Sequence, residues 1–129
     1  MAEYEPGVCN IGEGEQRKRY ALGAVALVAT LGLFVGVLTT GAPTLLLLAS
    51  VVPLFGVAEG YFQGRHNFCT GFATLGIYDT SDDGTDRREV PDASARRADR
   101  QRARQIHAKS ATAAVGATIL VYAVGLLSF

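Results

Sequence analysis

Two stretches of this chain carry no charge. Positions 20–58 contain no Asp, Glu, Lys or Arg, and neither do positions 110–129. A water-exposed helix cannot run that far without a polar face. The chain therefore reads as all-α and integral to a membrane, with three transmembrane helices. The first span is expected over Tyr20–Thr39, about 20 residues rising 1.5 Å each, enough for a hydrocarbon core of ~30 Å. Thr40, Gly41, Ala42 and Pro43 break it, and Pro43 suits the first turn of a new helix. The second span runs from Thr44 to Phe62, with Pro53 as an expected kink. Together the two form a hairpin (20–62). The third span is expected over Ser110–Phe129, so the chain would stop at the membrane surface with no external domain.

The polar remainder is a tail (1–19) and a loop of about 47 residues, both too poor in apolar residues to build a core. The tail does not read as a signal peptide, because it is polar, mixed in charge and followed by too long an apolar run. All twelve Lys and Arg residues fall in these two segments and none in the hairpin turn or the C-terminus. That asymmetry predicts a multi-pass protein of the cytoplasmic (inner) membrane, N-terminus in and C-terminus out. Cys9 and Cys69 then face the reducing side, where a lasting disulfide is not expected.

Small residues at spacing four predict helix packing. Gly32 and Gly36 pair on the first span, and Gly56, Gly60 and Gly64 line one face of the second. Ser110 with Ala114, and Ala113 with Ala117, form two stripes on the third. Such faces serve packing within the bundle, self-association or a larger membrane complex. Glu59 is the only charge inside a span, and Arg17, Arg19 or Arg65 could pair with it; the pair with Arg19 is carried forward. An alternative for Glu59 is ion or proton passage.

Residues 63–78 read as an interfacial segment containing Cys69, with Phe68, Phe72, Ile77 and Tyr78 as membrane-surface anchors. Residues 79–93, with Asp79, Asp82, Asp83 and Asp86 among Ser, Thr and Gly, have the composition of a flexible acidic linker. Asp79, Ser81, Asp83 and Gly84 match the first half of a calcium loop, but the closing glutamate falls on Val90, so no calcium site is expected. Residues 94–109 read as a basic juxtamembrane helix, capped by Asp92 or Ser94 and running on into the third span. Its Arg96, Arg97, Arg100 and Arg104 are expected to meet anionic lipid head groups, at ~1 kcal/mol each. No aromatic residues interleave these arginines, so no nucleic-acid partner is expected.

The reactive side chains are Cys9, Cys69, His66 and His107. His66 lies three residues before Cys69, so on a helical turn the two would share a face. A protonated His66 beside Arg65 would favour the Cys69 thiolate. This makes Cys69, with Cys9 and His66, the candidate redox or sulfur site. The spacings fit no metal motif, and no nucleophile–base set, phosphate loop or cofactor fingerprint is present. No catalytic residues, metal or cofactor are predicted.

Asn10-Ile11-Gly12, Glu15, Arg19 and Gly23 stand in order ahead of the first span. Phe68-Cys69-Thr70-Gly71-Phe72 and Leu75-Gly76-Ile77 follow the second. In these residues the segment 10–77 resembles the YgaP-like inner-membrane domain, a two-helix bacterial and archaeal module. The departures are Gln16 in place of an arginine, Thr70 in place of a proline, and the added basic helix and third span. The best-known members carry a rhodanese sulfurtransferase, and some pair through their membrane helices. The resemblance thus implies a membrane anchor or thiol-bearing partner near sulfur chemistry, not an enzyme. The expected function is a non-enzymatic module that self-associates or serves as an accessory subunit. The alternatives are a thiol carrier using Cys69 with Cys9, and a small oligomeric channel or transporter.

Overall fold

The computed structural model describes residues 3–128. Helix α1 spans Glu13–Thr40, beginning seven residues before the expected span. Gly12 is extended ahead of it, and Glu13 and Glu15 put negative charge beside the helix N-terminus, where the macrodipole favours it. Gly41 ends it in the left-handed conformation, φ 71°, which glycine adopts without strain. A 3-10 segment, Thr44–Ser50, then leads into α2, Val51–Arg65. Pro53 falls in the first turn of α2, where its missing N–H has no helical partner to lose. The second helix therefore changes hydrogen-bonding pattern ahead of Pro53, where a kink was expected.

Helix α4 is continuous over Ala93–Leu127 and joins the expected basic helix to the third apolar segment. The expected end at Phe129 lies outside the described residues. Three helices are long and apolar enough to cross a membrane: Glu13–Thr40, Thr44–Arg65 and Ala93–Leu127. Their apolar halves present large side chains outward, among them Val25, Val28, Val52, Leu120 and Leu127.

Close backbone approach holds α1 on α2. A methyl group on Gly60 would stand 2.6 Å from the Arg19 carbonyl oxygen and 2.7 Å from the Gly23 nitrogen, and one on Gly64 would stand 2.7 Å from the Tyr20 ring. Gly56 meets Ala26 in the same contact. Gly32 and Gly36 have nothing within 4 Å of where a Cβ would sit. At the far end Leu47 is fully buried and occupies the space beside Gly125 of α4. On α4 the buried positions are Ala95, Asp99, Ala103, Ile106, Ser110, Ala114, Thr118 and Gly125, one helical stripe running from the polar end to the apolar end.

The polar segments fold into a head rather than a linker. Helix α3, Thr70–Leu75, follows a left-handed turn at Asn67, and strands β1 (Ile77–Tyr78) and β2 (Arg88–Glu89) pair antiparallel. Phe68 and Phe72, expected at the membrane surface, are core residues instead. Phe68 packs with Ala73, Ala103 and Ile106, and Phe72 with Ile11 and Cys69. Ile77 is half-buried against Ile11, Cys69 and Phe72, and Tyr78 stacks on Tyr4 at 4.4 Å. The physical reason is that α4 extends over α3, giving these apolar side chains a protein surface to cover them.

The 79–93 segment is likewise packed. Asp79 is fully buried and accepts from the backbone N–H groups of Ser81 (3.0 Å) and Asp86 (3.1 Å). Its own N–H donates to the Asn10 carbonyl at 2.9 Å, and its carbonyl accepts from Gly12 at 2.9 Å. Side chains at Gly12 or Gly14 would collide with the backbone of Thr80–Ser81 or of Asp83–Gly84. The Asp, Ser and Gly content that suggests disorder here supplies Asx-type turns.

Candidate functional site

The site is the place where the segment before α1 meets the turn between α2 and α3. The Asn10 and Ile11 N–H groups both donate to the Asn67 carbonyl, at 3.1 and 3.2 Å. That carbonyl is turned toward them by Asn67, whose φ of 51° is one that asparagine tolerates better than most residues. The Asn10 side chain completes the clamp. Its Oδ1 accepts from the Cys69 N–H at 2.6 Å, and its Nδ2 donates to the Cys69 carbonyl at 3.0 Å. Asn10 is fully buried, so the pair acts away from water, where its loss would leave the Cys69 N–H unpaired, the carbonyl keeping only the Ala73 N–H at 3.1 Å.

The structure brings Cys69 and the segment bearing Cys9 together at this clamp, both as free thiols. Cys69 is buried and precedes α3, its sulfur accepting weakly from the Phe72 N–H at 3.5 Å. The Cys9 sulfur donates to the Ile11 carbonyl at 3.4 Å. Burial pushes its thiol up, against that hydrogen bond. His66 does not share a helical turn with Cys69, because the chain leaves α2 at Asn67. Its ring stacks on Phe62 at 6.4 Å. Burial holds the imidazole below its usual range, and the nearby Arg102, Lys109 and Arg65 add to this. Burial and these neighbouring cations thus disfavour the protonated His66 that was expected to activate Cys69.

Glu59 also differs from expectation. Arg19 binds Glu15 at 2.7 Å, joined by Lys18 at 2.9 Å. The Glu59 carboxylate instead meets His107 Nδ1 of α4 and accepts from Gln63 Nε2 at 3.1 Å. Gln63 Oε1 in turn accepts from the Thr70 N–H at 3.3 Å. The chain His107–Glu59–Gln63–Thr70, exposed at His107 and buried from Glu59 onward, ties α4, α2 and α3 together. The signal for it lay in depth: on antiparallel helices, Glu59 and His107 each fall about one turn from the polar boundary.

Arg97, Arg100 and Arg104 are exposed along one face of α4. Arg96 is turned inward, where its Nε donates to the Val90 carbonyl, so it serves the head rather than that face. Sequence reasoning missed Asp99, fully buried, which accepts from the Tyr4 hydroxyl and the Gly7 N–H, both at 2.7 Å. It also missed Phe72 as a platform for two guanidinium groups, Arg19 at 5.6 Å and Arg87 at 5.2 Å from the ring centre. No group of three or more His, Cys, Asp or Glu side chains among the described residues is arranged to hold a metal ion.

No protein family, curated protein or solved structure matches this chain. Asn10 and Cys69, far apart in the sequence, are the hydrogen-bonded partners of the clamp.

Proposed function

We propose that this chain is a non-enzymatic, multi-pass membrane module that self-associates through the outward face of α1 and serves as an anchoring or accessory subunit. The observation that carries this reading is the division of labour among the glycines. Gly60, Gly64 and Gly23 are consumed by the α1–α2 crossing, whereas Gly32 and Gly36 face open space. A Gly-x-x-x-Gly pair on a lipid-facing helix lets a second helix approach closely, and lipid supplies no hydrophobic force to bring helices together otherwise. Membrane insertion draws support from the three long apolar helices and their outward-facing apolar side chains. The twelve-to-none split of basic residues supports the inner membrane with the head in the cytoplasm. The resemblance to the YgaP-like domain supports the same class of role.

The thiol-carrier and channel readings draw less support from the geometry. The Cys69 sulfur is enclosed, and Glu59 is already engaged by His107 and Gln63. Two differently tagged copies, co-expressed and extracted from native membranes, test the proposal. Parent copies are expected to co-purify, and Gly36→Leu should cut recovery of mixed pairs by about tenfold. Undiminished pairing in Gly32→Leu and Gly36→Leu would remove α1 as the contact.

A further inference from the structure

Along the contact of α2 with α4 runs a groove whose two ends differ in chemistry. At its polar end, Arg102, Lys109, Phe62 and Ala113 border a depression of about 700 Å³. Phe62 and Ala113 also border a second depression, about 220 Å³, which continues past Ala117 toward Leu54 and Val57. We propose that this groove binds an anionic phospholipid of the surrounding bilayer. Its phosphate would lie between Arg102 and Lys109, and one acyl chain along Phe62, Ala113 and Ala117. The inference rests on the membrane reading above and adds to it a defined lipid site.

Three observations point to that occupant. The first is unmatched charge. Lys18, Arg19 and Arg88 each have a carboxylate partner, whereas Arg102, Lys109 and Arg65 have none among the described residues. The Arg102 Nε is enclosed and lacks an acceptor, and its Nη1 reaches only the Gln105 amide oxygen at 3.2 Å. An enclosed guanidinium donor is costly to leave unpaired, and a phosphate oxygen is the acceptor it matches best. The second is placement. Lys109 rests over the Phe62 ring, 5.7 Å from its centre, which fixes the ammonium at the mouth of the groove. Along with burial, Arg102, Lys109 and Arg65 disfavour a charged His66, as cations gathered around one place do.

The third is the gradient. From Lys109 to Ala117 is about 12 Å along α4. Over that distance the lining passes from cations to Ala, Leu and Val, as a phospholipid passes from phosphate to acyl chain. The depression that Arg97, Arg100 and Arg104 border is shared with Gln101 and is lined by no apolar residue. A second copy of this chain fits less well, because Glu59 is the only acid in its apolar segments and is already engaged.

The chain has no tryptophan, so a single introduced one reports on the groove. The full chain carrying Phe62→Trp, or Leu54→Trp deeper in the groove, is reconstituted in phosphatidylcholine vesicles. Part of the lipid is replaced by acyl-brominated phosphatidylglycerol or acyl-brominated phosphatidylcholine. Quenching should report association about fivefold or more in favour of the brominated phosphatidylglycerol. Arg102→Gln with Lys109→Gln should bring that preference near one, and Arg97→Gln, Arg100→Gln and Arg104→Gln together should leave it intact. No preference at either reporter, or a preference lost only in the triple variant, overturns the site. Val28→Trp, on the open face of α1, separates the two readings. If it is quenched by both lipids while the groove reporters are not, the groove is covered by protein and the lipid site falls alone. If Val28→Trp is itself unquenched, the membrane reading falls with it.

Discussion

At the scale of single residues, Asn10 does the most for its size. Its amide satisfies both backbone groups of Cys69 inside the head, and two backbone N–H groups of its own segment are satisfied by Asn67. Asn10→Ala should destabilise the chain by about 1–3 kcal/mol, because the buried Cys69 N–H loses its acceptor, while the Cys69 carbonyl keeps the Ala73 N–H. Thermal unfolding in mild detergent measures this, and a change under ~0.5 kcal/mol would mean water replaces the amide. Cys69→Ser keeps the backbone clamp and should cost far less. Tyr4 gives a pH signature. Burial first, and then the hydrogen bond to Asp99, hold its phenol above the usual tyrosine range. A group whose folded pKa is raised contributes stability that is present below its ordinary pKa of ~10 and lost as the pH rises through the folded value. The parent should therefore lose stability above pH ~10, and ultraviolet titration should find a late-ionising tyrosine that is absent from Tyr4→Phe. Asp99→Asn should bring that ionisation back toward the ordinary range; a titration unchanged by Asp99→Asn would place the cause elsewhere.

At the scale of elements, the α1–α2 crossing depends on glycine at one point. Any side chain on Gly60 meets the backbone of Arg19 and Gly23, and backbone cannot step aside as a long side chain can. Gly60→Leu should therefore destabilise the monomer by about 1–3 kcal/mol or more. Gly36→Ala should leave it unchanged or slightly stabilised, since the site is open and alanine favours helix. Equal losses from both, followed by thermal unfolding, would contradict the assignment of these glycines to different contacts. The existence of three long helices was legible in the sequence because charge is so costly in an apolar span that its absence marks the element. The head was not legible by that rule. Its core is built from isolated apolar residues, Ile11, Phe68, Phe72 and Ile106, set among polar and small neighbours, and no periodic run announces them. The small-residue stripe through Ser110 and Ala114 in fact extends back through Ala103, Asp99 and Ala95. There the arginines between those positions outweighed it in the reading. The structure sets the Cys69 segment beside that of Cys9, but the turn at Asn67 that separates His66 from Cys69 depends on a single left-handed residue, which sequence spacing does not reveal.

At the scale of the whole molecule, the packed head and the apolar helices make one testable statement about orientation. The head gathers the tail, the 79–93 segment and the first turns of α4, so all twelve basic residues lie toward one end of the molecule, and the apolar helices lead away from it. Positive charge is usually retained on the cytoplasmic side during insertion, and the proposed topology therefore predicts the head inside and the end of α4 outside. Single cysteines at Asp83, exposed in the head, and at Ser128, exposed beyond α4, report the two sides. A membrane-impermeant maleimide on intact cells should label Ser128→Cys and should label Asp83→Cys only after the membrane is permeabilised. Background from the native thiols should be small before and after, since Cys69 is buried and burial raises the Cys9 thiol above its ordinary pKa, leaving little reactive thiolate at neutral pH. The reverse labelling pattern would invert the topology, and it would also move the Arg102–Lys109 groove to a leaflet where anionic lipid is scarce. Equal labelling of both positions on intact cells would mean that the apolar helices do not cross the membrane at all.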